Sequence, residues 1–132
     1  MITGPPETAT CCCGACTIEV TGAPVINAIC HCANCKRRTG SAFGWSVYFG
    51  DEQVVRRTGD VRCYEIDGAT TQQRWFCASC GTTLFWKIGY QSGRTGVAGG
   101  CFDEALPPPT VTVSNAGRCD WVGLPPEWPT SL

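Results

Sequence analysis

Nine of the twelve cysteines in this 132-residue chain fall into three short groups, and that grouping limits what the chain can fold into. The groups are Cys11, Cys12, Cys13 and Cys16; then Cys30, Cys32 and Cys35; then Cys77 and Cys80. An even number of cysteines at this density is the usual mark of a secreted disulfide scaffold. Two features oppose that reading. The opening MITGPPETAT has neither the basic region nor the apolar core of an export signal, so a cytoplasmic location is expected, where disulfides are disfavoured. Tight clusters also serve poorly to cross-link distant loops, whereas they bring several sulfurs around one point. Metal binding, with zinc the natural ion, is the expectation.

The length fits a single domain spanning residues 1–132, with residues 1–10 expected to be a flexible tail. A formal net charge of −1 gives no electrostatic footprint for nucleic acid, and the only cluster of basic residues is Lys36, Arg37 and Arg38. No apolar run approaches the roughly 18 residues needed to span a bilayer, so neither a nucleic acid nor a membrane is expected as a partner.

Between the cysteine groups the chain reads as strands. ACTIEV (15–20), PVINAIC (24–30), EQVVRRT (52–58), VRCYEI (61–66), TQQRWFC (71–77) and TLFWKI (83–88) are separated by glycine- and aspartate-rich turns. In AFGWSVYF (42–49), Phe43, Trp45, Val47 and Phe49 alternate with smaller or more polar residues, the pattern of a half-buried strand. RTGVAGG (94–100) and TVTVSN (110–115) are weaker strands. No helical period lasts three turns; short helical turns are expected after Cys32 and over CFDEAL (101–106). The fold class is therefore mainly β, antiparallel, and held together partly by metal.

Cys77-Ala-Ser-Cys80-Gly81 has the commonest spacing of a zinc half-site, with a glycine to relieve the turn. Its complement is Cys11 with Cys13, or Cys13 with Cys16, and spacing alone leaves both open. In Cys30-His31-Cys32, alternation along an extended chain turns the two sulfurs one way and His31 the other. Cys35 can return to the same ion if the chain turns after Cys32. His31 is then expected to pack or to make an outer hydrogen bond. Three protein ligands with an open fourth position is the catalytic pattern of zinc. Three thiolates leave Zn²⁺ with a formal charge of −1, a weak Lewis acid that disfavours bound hydroxide but suits a bound thiolate. With one histidine in the chain, a two-histidine zinc protease motif is excluded. Cys63 is expected to be a buried small hydrophobe, and Cys101 and Cys119 lie near turns.

Taken together, C-x-C-G at Cys11–Gly14, CHC-x-x-C at Cys30–Cys35 and FC-x-x-CG at Phe76–Gly81 resemble the glutathione-dependent formaldehyde-activating enzyme family of zinc carbon–sulfur lyases. GSAF at 40–43, LFW at 84–86 and the weaker W-x-x-L-P within DWVGLPPEWP (120–129) are similar to it as well. The resemblance implies a β-tent fold of antiparallel sheets organised by zinc. It implies two zinc ions per chain: a structural one held by Cys11, Cys13, Cys77 and Cys80, and a catalytic one held by Cys30, Cys32 and Cys35. Cys16 then falls where the family has an apolar core residue. The implied reaction is addition of the glutathione thiol to formaldehyde or a related small aldehyde, with a small thiol as the partner. Lys36, Arg37 and Arg38 are candidates to meet substrate carboxylates, or else form a solvated turn. The late-strand histidine that members often carry is missing from TVTVSNAGRCDW. The competing class is a non-catalytic zinc module for protein–protein binding.

Overall fold

The computed structural model describes residues 6–68, 70–104 and 106–131. In chain order the strands are β1 (Glu7–Thr10), β2 (Thr17–Val20), β3 (Ile26–Cys30), β4 (Gly44–Gly50), β5 (Val54–Thr58), β6 (Val61–Ile66), β7 (Gln72–Cys77), β8 (Thr83–Ile88), β9 (Arg94–Ala98), β10 (Val111–Val113) and β11 (Thr130–Ser131). One α-helix, α1 (Ala33–Thr39), lies between β3 and β4, and single 3-10 turns punctuate the rest. The strands form a three-stranded sheet, β1-β2-β5, and an eight-stranded sheet in the order β11-β10-β3-β4-β9-β8-β7-β6. The chain is thus mainly β, as its alternation and turn residues dictate. Among the described residues no helix is long and apolar enough to cross a membrane.

The core joins the two sheets. Ala9, Ile18 and Val20 of the small sheet pack with Val47, Phe49, Leu84, Phe85 and Val97 of the large one, and Phe102 tilts against Phe49 with ring centroids 6.0 Å apart. Burying each of the larger apolar side chains contributes about 1.5–3 kcal/mol. Trp75 stacks on Phe85 at 5.3 Å. The opposite face of the large sheet, presenting Ser46, Tyr48, Trp86 and Ile88, walls a cleft. β4 is accordingly covered on both faces rather than half-buried: Val47 and Phe49 enter the core while Ser46 and Tyr48 face the cleft.

Several expectations need correction. Residues 7–10, assigned above to a flexible tail, are β1, paired antiparallel with β2 from Glu7↔Val20 to Thr10↔Thr17. Ala9 is fully buried and bridges Phe102, so one small side chain anchors a segment with no apolar pattern. Residues 1–5 of that tail lie outside the described residues. Not every pairing is antiparallel: β10 runs parallel to β3, and β11 parallel to β10. The helical turn expected over CFDEAL is a 3-10 turn at Gly99–Cys101, with Ala105 outside the described residues. Cys63 is exposed, because β6 is the edge of its sheet and carries exposed residues from Arg62 to Glu65.

Candidate metal centres

β1 delivers Cys11 into a tight turn in which Cys11 N–H donates to Cys16 O at 3.1 Å and Gly14 N–H to Cys11 O at 3.0 Å. Gly14 takes a φ of 83°, a left-handed conformation that costs a residue without Cβ little. From the other side, β7 ends at Cys77 and the chain turns over Cys80 to Gly81, whose φ is 80°. The backbone N–H groups of Ser79 and Cys80 both point at Cys77 Sγ, at 3.4 Å each. The four sulfurs of Cys11, Cys13, Cys77 and Cys80 thereby come within 4.8 Å of one another.

The separations suit zinc. Cys11 Sγ and Cys13 Sγ are 3.7 Å apart, and Cys13 Sγ and Cys77 Sγ 3.6 Å. A tetrahedral ion with Zn–S bonds of about 2.3 Å sets its sulfurs about 3.8 Å apart. The Thr82 hydroxyl, 3.1 Å from Cys80 Sγ, together with backbone N–H groups lowers the Cys80 thiol to about 5. The Cys80 and Ser79 amides likewise lower Cys77, against the effect of burial. Hydrogen bonds to the charged form thus favour thiolates at Cys77 and Cys80, while the neighbouring sulfurs raise Cys13 to about 11. Cys16 stays outside this group. It is fully buried in the core, donates to Asp60 O at 3.4 Å, and burial raises its thiol to about 12.

The second cluster is local. Cys30 closes β3, Cys32 caps the N-terminus of α1 by accepting from Cys35 N–H at 3.3 Å, and Cys35 sits in the first turn. Their sulfurs are also within 4.8 Å of one another, and all three residues are half-buried. No fourth cysteine, histidine or carboxylate joins them among the described residues. His31 points away and is fully buried, with Nε2 2.9 Å from Thr112 Oγ1 and its ring edge-on to Phe43 at 5.8 Å. Thr112 in turn donates to Asn115 Oδ1 at 2.9 Å. Cys30 Sγ meets Ser114 Oγ at 3.7 Å, and the neighbouring Cys35 thiol lowers Cys30 to about 5. Cys35 is raised, first by its hydrogen bond to Cys30 and then by burial.

The two clusters differ in what they face. The three-sulfur group lines a cleft of about 670 Å³, together with Arg38, Tyr48, Arg74, Trp86, Tyr90 and Ser114, whereas none of the four other sulfurs reaches it. Three thiolates with an accessible side fit a zinc ion that keeps one position open; four fit a closed one. Of the basic triplet, Lys36 turns back to the carbonyl of Gly117, Arg37 is exposed, and only Arg38 enters the cleft. The Arg38 guanidinium lies 4.0 Å over the Trp86 ring, a cation–π arrangement, and burial lowers its pKa. Burial raises the Tyr48 phenol to about 12, and its oxygen accepts from Trp86 Nε1–H at 3.1 Å. Sequence reasoning missed Arg74, Tyr48, Tyr90 and Ser114. Arg74 left one signal, a charged residue inside the strand pattern TQQRWFC.

Comparison with known proteins gives a family match and a shared fold. A model of the glutathione-dependent formaldehyde-activating enzyme family matches residues 6–115. A crystal structure of a Rhodobacter sphaeroides protein superposes with a TM-score of 0.61 at 23% identity, covering 76% of this chain and 91% of that one, and so shares the fold.

Proposed function

The chain belongs to the glutathione-dependent formaldehyde-activating enzyme family, and on that premise we propose that it is a zinc-dependent carbon–sulfur lyase, adding the glutathione thiol to formaldehyde or a related small aldehyde and reversing that addition. The carrying observation is the contrast between a three-sulfur cluster on a cleft and a four-sulfur cluster away from it. In this reading Cys30, Cys32 and Cys35 hold the catalytic zinc, while Cys11, Cys13, Cys77 and Cys80 hold the structural one.

Zinc in the three-sulfur site supplies an open position at which a thiol loses its proton and stays nucleophilic. The chain's own residues do the rest. The Trp86 and Ile88 side chains give the cleft apolar surface against which the thiol and aldehyde meet in a fixed orientation. In the forward direction a C–S bond forms, the C=O π pair moves onto oxygen, and that oxygen gains a proton. Tyr48 suits this step. It is protonated near neutral pH and its oxygen already accepts from Trp86, so its O–H would donate to the new alkoxide. The proton the thiol released would return to Tyr48 by way of solvent to close the balance.

The test is thiol binding by cobalt-substituted protein. Glutathione should produce a new sulfur-to-metal charge-transfer band and release protons, measured by calorimetry in buffers of different ionisation enthalpy. Cys35→Ser should abolish the band while the four-sulfur metal remains. If neither glutathione nor simpler thiols produce heat or a band, the lyase reading fails and the partner-binding module replaces it.

A further inference from the structure

The cleft holds a buried cation that nothing in the proposed reaction uses. Arg74, on β7, is only 5% exposed and lines the same cleft as Cys30, Cys32 and Cys35. Its guanidinium donates to two neutral oxygens, from Nη1 to the Tyr64 hydroxyl at 3.4 Å and from Nη2 to Gln72 Oε1 at 3.0 Å. That leaves three of the five N–H donors an arginine carries. The only ion pair among the described residues is Lys87–Asp51, outside the cleft. Asp67 is the one acidic residue lining the cleft among the described residues, and it is exposed and forms no ion pair with an arginine.

An arginine does not shed its proton on burial, and a buried cation without an anion is unfavourable. Charge balance around the cleft shows which cation is left over. Three thiolates on a divalent ion carry −1, and Arg38, interacting with Cys35 and lying over Trp86, offsets it. Arg74 has no such counter-charge, and its repulsion of Arg38 adds to the positive field. A guanidinium presented this way matches a carboxylate, which accepts two parallel N–H bonds.

We propose that Arg74 is the specificity-determining residue of this cleft, receiving a carboxylate of the thiol substrate while the sulfur occupies the three-cysteine centre. The site then selects thiols that carry a carboxylate over neutral thiols of the same size. This inference rests on the reading of that centre as a thiol-binding metal site.

The experiment compares 3-mercaptopropionate, glutathione and 2-mercaptoethanol as ligands of metal-loaded wild-type protein, Arg74→Gln and Arg74→Lys, by calorimetry and by the cobalt charge-transfer band. Wild-type protein should prefer 3-mercaptopropionate to 2-mercaptoethanol. Arg74→Gln should weaken both carboxylate thiols by about tenfold to a hundredfold, the scale of a lost charge-assisted pair, and shift 2-mercaptoethanol by less than about twofold. Arg74→Lys should recover part of the preference, because it restores the charge but not the two-pronged geometry. An equal loss for all three thiols in both variants would mark Arg74 as structural and overturn the proposal. An unchanged preference in Arg74→Gln would overturn it too, leaving the lyase reading intact. Absence of any thiol binding by wild-type protein sinks both.

Discussion

At the scale of residues, the two cysteine clusters differ in how much chain each one ties together. Cys13 and Cys77 are 64 positions apart yet their sulfurs are 3.6 Å apart, so an ion there closes a long loop. Cys30, Cys32 and Cys35 span one turn. Replacing Cys80 by Ser should therefore lower unfolding free energy by on the order of 4 kcal/mol, and Cys35→Ser by about 1 kcal/mol. Denaturant titrations of the two variants measure this, and equal losses would contradict that difference. The cysteine clusters were legible in sequence because ligand spacing is local: C-x-C and C-x-x-C bring sulfurs together through the backbone alone. Alternation likewise turned His31 away from its neighbours. Arg74 and Cys63 were not legible in this way. Whether a strand residue faces the cleft or the solvent depends on which strands flank it, and β7 is flanked on both sides while β6 is an edge.

At the scale of elements, the β5–β6 turn meets the cysteine turn that follows β1. Gly59 holds a φ of 95°, and a Cβ there would run into the carbonyl of Ala15 and lie 2.7 Å from both Cα and Sγ of Cys16. Gly59→Ala combines backbone strain with a collision against main chain, neither of which a rotamer change relieves. It should cost at least about 2 kcal/mol. Gly123→Ala, with nothing within 4 Å of the added carbon, should stay within about 0.5 kcal/mol of wild type. Thermal and chemical denaturation of the pair checks this, and a tolerated Gly59→Ala would mean that the turn is free to move. β2 through β9 follow the strands read from alternation and punctuation, trimmed by one or two residues at some ends. The failures have two causes: β1 and β11 have no apolar pattern, and the parallel pairing of β10 with β3 is set by a connection through the rest of the chain.

At the scale of the whole molecule, the fold places one cluster between the two sheets and the other on the cleft. Elemental analysis of protein purified under reducing conditions should return two zinc ions per chain, and one for Cys35→Ser. Chelator titration should proceed in two stages, first loss of thiol binding with β structure retained, then unfolding as the four-sulfur ion leaves. Simultaneous loss of both ions with the β signal would refute this independence. The parallel pairing of β10 with β3, which carries Ser114 to Cys30 across 84 positions, has a consequence for how the protein is made. A ribosome releases Cys30, Cys32 and Cys35 together and early, so this loop can capture an ion before the eight-stranded sheet exists. Cys80 follows roughly 2–9 s later at about 5–20 residues per second, and only then can the closed cage form. Ser114 emerges last of all. If the three-cysteine loop takes its ion at that stage, it does so as an open, unshielded knuckle on a nascent chain, and the cleft walls are built around it afterwards.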